Sequence, residues 1–474
     1  MGAAVVERPR PSPAADRPAR TSVALPAFRG PRPALIVAVL GFFVVTLDAL
    51  VVNVALPSIG SDLGGGITGL QWVIDGYTLM FAALLLSAGA LSDRVGAHRA
   101  FGAGLATFVA ASAACGLAPQ LGVLVAARLA QGAAAAVMLP ASLALLREAY
   151  ADARQRARAI ALWSLGAAVA SSAGPVVGGL LTLLSWRMIF FINLPVGLVA
   201  LYLLWRVARS PRRPAPFDGV GQLTAILGMG ALTYGLIEGG AQGLGTPHVL
   251  VALAVAVLAM VACLVAQARG AHPMVPLELF RSRPVAVSVS VGFTFTIGFY
   301  GLVFLLSLYL QQLRGLSPLA TGLAFVPMTG LSAFVTLVAP RAAARFGPRV
   351  PIALGQVLIA VGLLSVCLGV ALHAPVLLLA VLTIPVGFGS ALAIPTITAL
   401  LVGSVPAARA GTASGVLNTC RQLGGALAVA VFGALVAHRE TFVQGMQVSL
   451  VGAALLLLAT TVASLQLPTK ETHR

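Results

Sequence analysis

Lysine is all but missing from this chain: Lys470, within the last five residues, is the only one in 474. A phosphate-binding loop of the GxxxxGK[ST] type needs a lysine after its glycines, so none is present. No long polar segment offers to house a nucleotide either, which sets ATP-driven pumping by this chain aside. Schiff-base chemistry falls with the lysines. Acid is scarce as well, at 13 Asp and Glu against 30 basic residues, and charged side chains make up only 9%. The four cysteines, Cys115, Cys263, Cys367 and Cys420, fall singly on separate apolar segments, without the spacing of a metal site or a redox pair. No cluster of His, Cys and carboxylate suggests a metal, and no Ser/His/Asp set shares one depth. Neither an enzyme nor a cofactor is expected.

What the chain has instead is apolar length. Hydrophobic residues make up 59%, and between Ala34 and Leu467 they form fourteen long segments. Crossing a bilayer core of about 30 Å takes about 20 apolar helical residues, and a soluble domain could not hide so much apolar surface. Lipid offers no partner for unpaired backbone groups and the segments lack strand alternation, so helices are expected. The arginines fall on every second break. Arg94 and Arg99, Arg147 to Arg158, Arg206 to Arg213, Arg269 to Arg283, Arg341 to Arg349 and Arg409 lie on one side with the N-terminal arginines, Lys470 and Arg474. The other side receives Arg187, Arg314 and Arg439, while Arg128 and Arg421 lie within segments. The positive-inside rule puts both termini in the cytoplasm and requires an even number of spans. The net charge of +17 follows from that bias and is not read as a nucleic-acid footprint.

An internal echo supports a carrier. Gly132 and Pro140 in the fourth segment recur as Gly387 and Pro395 in the twelfth, and Arg94-x-Gly96 recurs as Arg345-x-Gly347. Parallel six-span repeats mark one large class of secondary transporters. The expected organisation is a disordered cytoplasmic tail over 1–33, a six-helix half over 34–207, a central helix pair with linkers over 208–285, a second six-helix half over 286–467, and a tail over 468–474.

Several stretches carry a family resemblance. Gly89-Ala-Leu-Ser-Asp93-Arg94-Val-Gly96 resembles the loop signature of the major facilitator superfamily. Leu47-Asp48 through Asn53 to Pro57, Arg128-Leu-Ala-Gln131-Gly132, Gly174-Pro175-Val-Val-Gly178-Gly179, Ser185-Trp186-Arg187 through Asn193 to Gly197, and Asn418-Thr-Cys-Arg421-Gln-Leu-Gly424-Gly425 are similar to motifs of its fourteen-span drug:proton antiporters. Ala97-His98 replaces the usual basic pair of the loop, and Ala170 stands where the fifth-helix motif opens with glycine. The resemblance implies an all-α polytopic protein of the major facilitator fold, two six-helix halves plus two central helices.

Asp48 lies 14 residues into a segment entered from the cytoplasm, roughly 21 Å along a helix. A carboxylate at that depth is functional by default, and burial disfavours its charged form, as a proton carrier requires. Asp75, near the outer end of the second segment, is a second proton or cation site or an interfacial residue. Glu238 joins them as a candidate, although its place beside Gly239-Gly240 favours a solvated helix end. Arg128, alone in its segment, demands a carboxylate or carbonyl partner; the resemblance implies a role in proton transfer. Arg421 is read as snorkelling towards the inner surface in a structural role. Gly89, Asp93, Arg94 and Gly96 make a cytoplasmic latch, with a solvated turn as the alternative. Gly174, Pro175, Gly178 and Gly179 combine close packing with a bend that sets which side opens. Tyr309, Gln311 and Gln312, with Tyr300, are candidates for the substrate cavity, as are Trp163, Phe325 and Met328.

Together these readings describe a proton-coupled secondary transporter of a plasma membrane that exports lipophilic, cationic drugs or antibiotics by alternating access. Its partners are protons, a small-molecule substrate and the bilayer, and it works as a monomer. Arginine in place of lysine, with abundant alanine, points to a GC-rich bacterium. An importer of a metabolite or siderophore, a channel and a non-transporting scaffold are the rivals.

Overall fold

In the computed structural model the described residues are Gly2, 31–212, 217–270, 273–406 and 409–467. The tails expected over 1–33 and 468–474 lie outside them, apart from Gly2 and from Pro31–Pro33, which already belong to the first helix. Every regular element among the described residues is a helix. In the first part of the chain α1 spans Pro31–Leu63, α2 Gly66–Val95, α3 Ala97–Gly116, α4 Leu121–Ala149 and α5 Ala153–Leu184, and the short α6 (Met188–Phe191) runs into α7 (Asn193–Leu204). A pair follows, α8 (Gly219–Gln242) and α9 (Pro247–Arg269). The rest comprises α10 (Arg283–Leu308), α11 (Pro318–Ala324), α12 (Val326–Phe346), α13 (Arg349–Ala371), α14 (Val376–Leu382), α15 (Ile384–Gly403), α16 (Ala410–Leu435) and α17 (Phe442–Ser464). Among the described residues, ten helical segments are long and apolar enough to cross a membrane.

Local chemistry sets many of these ends. Asp152, Asp218 and Ser317 cap α5, α8 and α11 by accepting from the amides of Gln155 (2.8 Å), Gly221 (2.7 Å) and Ala320 (3.2 Å), which satisfies donors a helix start leaves open. Proline divides three of the segments read as single helices. α6 gives way to α7 just before Pro195, α11 to α12 before Pro327 and α14 to α15 before Pro385, because proline lacks the N–H and crowds the preceding turn. Gly96 adopts φ +90°, and a Cβ there would lie 2.9 Å from the Ser210 carbonyl oxygen. Only glycine therefore fits the turn between α2 and α3.

Packing repeats along the chain. α1 lies on α4, α5 and α7, while α4 lies on α2 and α3. The same scheme recurs with α10 on α15, α16 and α17, and α15 on α12 and α13. The contacts between the two sets are reciprocal too, since α2 lies on α16 and α5 lies on α11 and α12. α8 rests on α2 and α16, and α9 packs on α8.

Among the described residues, the hydrogen bonds that join α1–α7 to α10–α17 share one half of the bundle's length, from its end at Gln71 to near its middle at Ser172. Gln71 Nε2 donates to the carbonyls of Val429 (2.9 Å) and Ala430 (2.7 Å), and Gln311 Nε2 donates to that of Val54 (2.9 Å). Ser172 Oγ donates to Thr329 O at 3.2 Å, and Thr329 Oγ1 returns to Ser172 O at 3.4 Å. The loops at this end carry Arg187, Arg314 and Arg439. At the opposite end Asp93, Arg94 and Arg345 are exposed.

Candidate coupling site

Asp48 and Arg128 are fully buried and face each other across α1 and α4. Arg128 Nη1 donates to Asp48 Oδ2 at 2.5 Å. The remaining lone pairs of the carboxylate are also used: Gln131 Nε2 and Asn193 Nδ2 each donate to Oδ1 at 2.8 Å. Ser112 Oγ accepts from Asn193 (2.9 Å) and Gln131 (3.2 Å) and donates to Phe190 O at 3.0 Å. On its other side the guanidinium reaches Gln131 Oε1 (2.9 Å) and Val73 O (3.0 Å), and it lies 4.3 Å from the centroid of the Tyr77 ring. Tyr77 in turn donates to Val45 O at 3.1 Å.

The network therefore ties α1, α3, α4 and α7 together and touches α2. A buried ion pair holds only when its geometry is good and every other polar atom is served. Both Asp48 oxygens are engaged, while Asn193 Oδ1 is buried without a partner among the described residues. Small residues make room for the arrangement. Gly132 backs onto the main chain of Tyr77, and this close approach brings α4, and Arg128 with it, against α2.

The other candidates are distributed differently. Asp75 is fully buried, with Oδ1 accepting a 3.4 Å bond from Thr78 and Oδ2 without a partner among the described residues. It shares the face of α2 with Gln71, one turn away, which meets α16. Glu238 is not brought to Asp48; its carboxylate accepts from Gln242 on its own helix at 2.7 Å. Gly174 and Gly178 face α1, where a Cβ would lie 2.9 Å from Leu50 Cβ and 2.7 Å from Val51 O. Gly179 faces α11 instead, 2.6 Å from Pro318 O, and Gly322 backs onto Pro175 in return. Asp93 and Arg94 form no ion pair among the described residues, and Gly89 has nothing near its Cβ position. Gln311 commits its amide to Val54, Gln312 borders an outer depression with Ile67, Arg439 and Phe442, and Tyr309 accepts from Arg314 at 3.2 Å. Phe325 and Met328 are core residues, and Trp163 stacks on Phe42 at 4.0 Å while donating to Ser142 at 3.1 Å.

Ser112, Gln131, Asn193 and Tyr77 are site residues that sequence reasoning missed. Gln131 and Asn193 lie inside the quoted motif stretches, so a polar residue within a motif is the available signal. Ser112 sits in an alanine-rich segment and carries no comparable mark.

A model of the Major Facilitator Superfamily matches residues 38–429. A multidrug resistance protein, Stp, of Mycobacterium tuberculosis is 38% identical over 85% of this chain and 75% of its own length. A methylenomycin A resistance protein of Streptomyces coelicolor is 36% identical over 88% of both chains. Among solved structures, a D-xylose–proton symporter superposes with a TM-score of 0.64 at 15% identity, covering 90% of this chain and 97% of its own. A bacterial homologue of the lysosomal transporter Spinster gives 0.66 at 18%, covering 93% and 97%.

Proposed function

Belonging to the Major Facilitator Superfamily, this chain is, we propose, a proton-coupled exporter of lipophilic drugs or antibiotics that works by alternating access. Its relatives' names concern multidrug and antibiotic resistance, which supports export over import. The observation that carries proton coupling is the buried Asp48 carboxylate, held by Arg128, Gln131 and Asn193. Loading a proton onto Asp48 removes the ion pair that fastens α1 to α4. Because α1 also supplies Val54, the acceptor of Gln311 on the turn after α10, movement of α1 passes to the other half. Proton and substrate must favour different states for coupling to exist. The joined outer end and the exposed cytoplasmic arginines support reading this state as open towards the cytoplasm, with Asp93 free to latch in the other state.

The finer architecture belongs to the same proposal. Adding α3, α6–α7, α11–α12 and α16 to the ten long spans supports fourteen crossings with both termini cytoplasmic. The recurring packing supports six-helix halves over 34–207 and 286–467, with the central pair within 208–285. The protein sits in the cytoplasmic membrane as a monomer, has no catalytic centre of its own, and exchanges protons for substrate.

The test is dye efflux from energised cells or everted vesicles, wild type beside Asp48→Asn at equal expression, with and without an uncoupler. Efflux that the uncoupler collapses and the substitution abolishes is expected. Undiminished uncoupler-sensitive efflux in the variant moves the coupling acid elsewhere, Asp75 being next.

A further inference from the structure

Arg421 is a guanidinium inside the bundle that meets no counter-charge among the described residues. The ion pairs there are Asp48–Arg128, Asp62–Arg187 and Glu278–Arg409. From Ala410 to Arg421, α16 climbs about 17 Å of its total of about 39 Å. The residue thus belongs near mid-membrane, not at the inner surface that snorkelling would seek. Its Nη1 makes only a long bond, 3.4 Å, to Asn418 Oδ1, and its Nε is buried with no partner. The stem lies against Gly292, where a Cβ would come within 3.1 Å of Arg421 Cγ.

One aromatic ring lies beside the headgroup, and two more continue from it. The guanidinium carbon is 5.8 Å from the centroid of Phe295. Phe295 stacks on Phe299 at 5.7 Å, and Phe299 meets Tyr300 edge-on at 5.6 Å. One turn along α16 the Tyr300 ring covers Gly425. Arg421, Asn418 and Tyr300 are half-buried, so the group is walled but open on one side. An arginine within a span is expensive unless an anion or water serves it, and its planar fork matches a carboxylate. Asp48, by contrast, has its charge fully engaged by Arg128. The cavity acid expected to attract cationic drugs is therefore not free, Asp75 is wholly enclosed, and the unpaired charge that is only half-buried has the opposite sign.

We propose that Arg421, with Asn418 and Tyr300, binds the acidic oxygen of a lipophilic organic acid, whose apolar body rests on the Phe295–Phe299–Tyr300 rings. The inference rests on the exporter reading and names its substrate class. Loss of the unpaired charge removes one charge-assisted contact, so about tenfold or more in affinity is at stake.

The experiment compares three probes on one skeleton, pyrenebutyrate, pyrenebutanol and pyrenebutyl-trimethylammonium, by fluorescence titration of the purified full chain at neutral pH. Wild type binds the carboxylate at least about tenfold more tightly than the alcohol, and the ammonium most weakly. Arg421→Gln brings carboxylate and alcohol to equal affinity, and Arg421→Lys restores part of the preference. Equal affinity for all three probes in wild type, or a carboxylate preference untouched in Arg421→Gln, overturns the proposal. The wild-type ranking needs no variant, so a misfolded substitution leaves the test intact. Failure of the exporter reading shows separately, as wild-type vesicles that bind the carboxylate selectively yet build no uncoupler-sensitive gradient of any probe.

Discussion

A double-mutant cycle on Asp48 and Arg128 tests whether the buried pair is one energetic unit. In Arg128→Gln, the carboxylate keeps the amides of Gln131 and Asn193 at 2.8 Å but loses its only cation. In Asp48→Asn, one of the two oxygens becomes an NH2 group. Every neighbour of that carboxylate donates to it, so the new NH2 faces a donor unless Asn193, whose Oδ1 has no partner among the described residues, turns its amide and gives up its bond to Ser112. Removing one partner of a buried pair costs about 3–5 kcal/mol. The value for Arg128→Gln sits at the lower end, because Asp48 can take up a proton and still accept from Asn193. In the double variant the two introduced amides can bond to each other, and no charge remains. The pair should then recover a coupling energy of more than about 1 kcal/mol, so the double variant is more stable than the sum of the single losses predicts. The measurement is the free energy of unfolding of the detergent-solubilised protein for all four members of the cycle, beside uncoupler-sensitive efflux. Efflux stays absent in the double variant, since restored packing brings back no titratable group. Additive stabilities would refute the reasoning, and so would proton-driven efflux in the double variant.

Two further substitutions address the joined outer end. Gln71→Leu deletes the bonds to Val429 O and Ala430 O, each worth about 1 kcal/mol. It should shift the population towards the state with that end parted by about thirtyfold, read as labelling of cysteines placed along the outer halves of α2 and α16; unchanged labelling contradicts it. Gly179→Val places a side chain where the Cβ alone would sit 2.6 Å from Pro318 O, and backbone cannot yield as a flexible side chain does. Efflux should fall at least about tenfold with normal expression and membrane insertion, and an active variant would show that α5 and α11 need not close against each other.

Much of this arrangement is legible without coordinates. Arg128 within an apolar segment demands a carboxylate or carbonyl, and it has both, in Asp48 and Val73. The echo of Gly132 and Pro140 in Gly387 and Pro395 announces a repeat, and the structure puts each glycine in the same role: Gly132 backs onto the main chain of Tyr77 and Gly387 onto that of Met328. What escapes follows from what a sequence leaves open. α1 begins at Pro31 and runs to Leu63, past Pro57, because one proline within a packed helix costs a bend, which neighbours can stabilise. Breaks before Pro195, Pro327 and Pro385 disappear into single segments because hydropathy averages over them. Ser112 and Asn193 are small neutral residues whose value depends on meeting each other beside one carboxylate from two other helices. No spacing within either helix encodes that meeting.

The recurring packing makes the unequal polar content of the two sets informative. α10, α13 and α17 take the places that α1, α3 and α7 hold in the first set, and they too carry a buried polar cluster. Gln356 Nε2 donates to Ser464 Oγ at 2.7 Å, Thr460 Oγ1 donates to Gln356 Oε1 at 2.7 Å, and Thr294 and Thr460 lie 3.1 Å apart. Every member of that cluster is neutral, so it can hold helices together but cannot take up a proton near neutral pH. In the first set the equivalent helices converge on Asp48, a carboxylate ion-paired with Arg128. A single titratable pair in one half is sufficient for coupling if the other half supplies the surface that substrate touches. Half-buried Arg421 among its rings occupies the second set and faces no ion-pair partner among the described residues there. Proton and substrate then act on different halves, and their communication must pass through the contacts between the halves. That makes Gln71, Gln311, Ser172 and the Gly179–Pro318 approach the places where coupling can be weakened without touching either site.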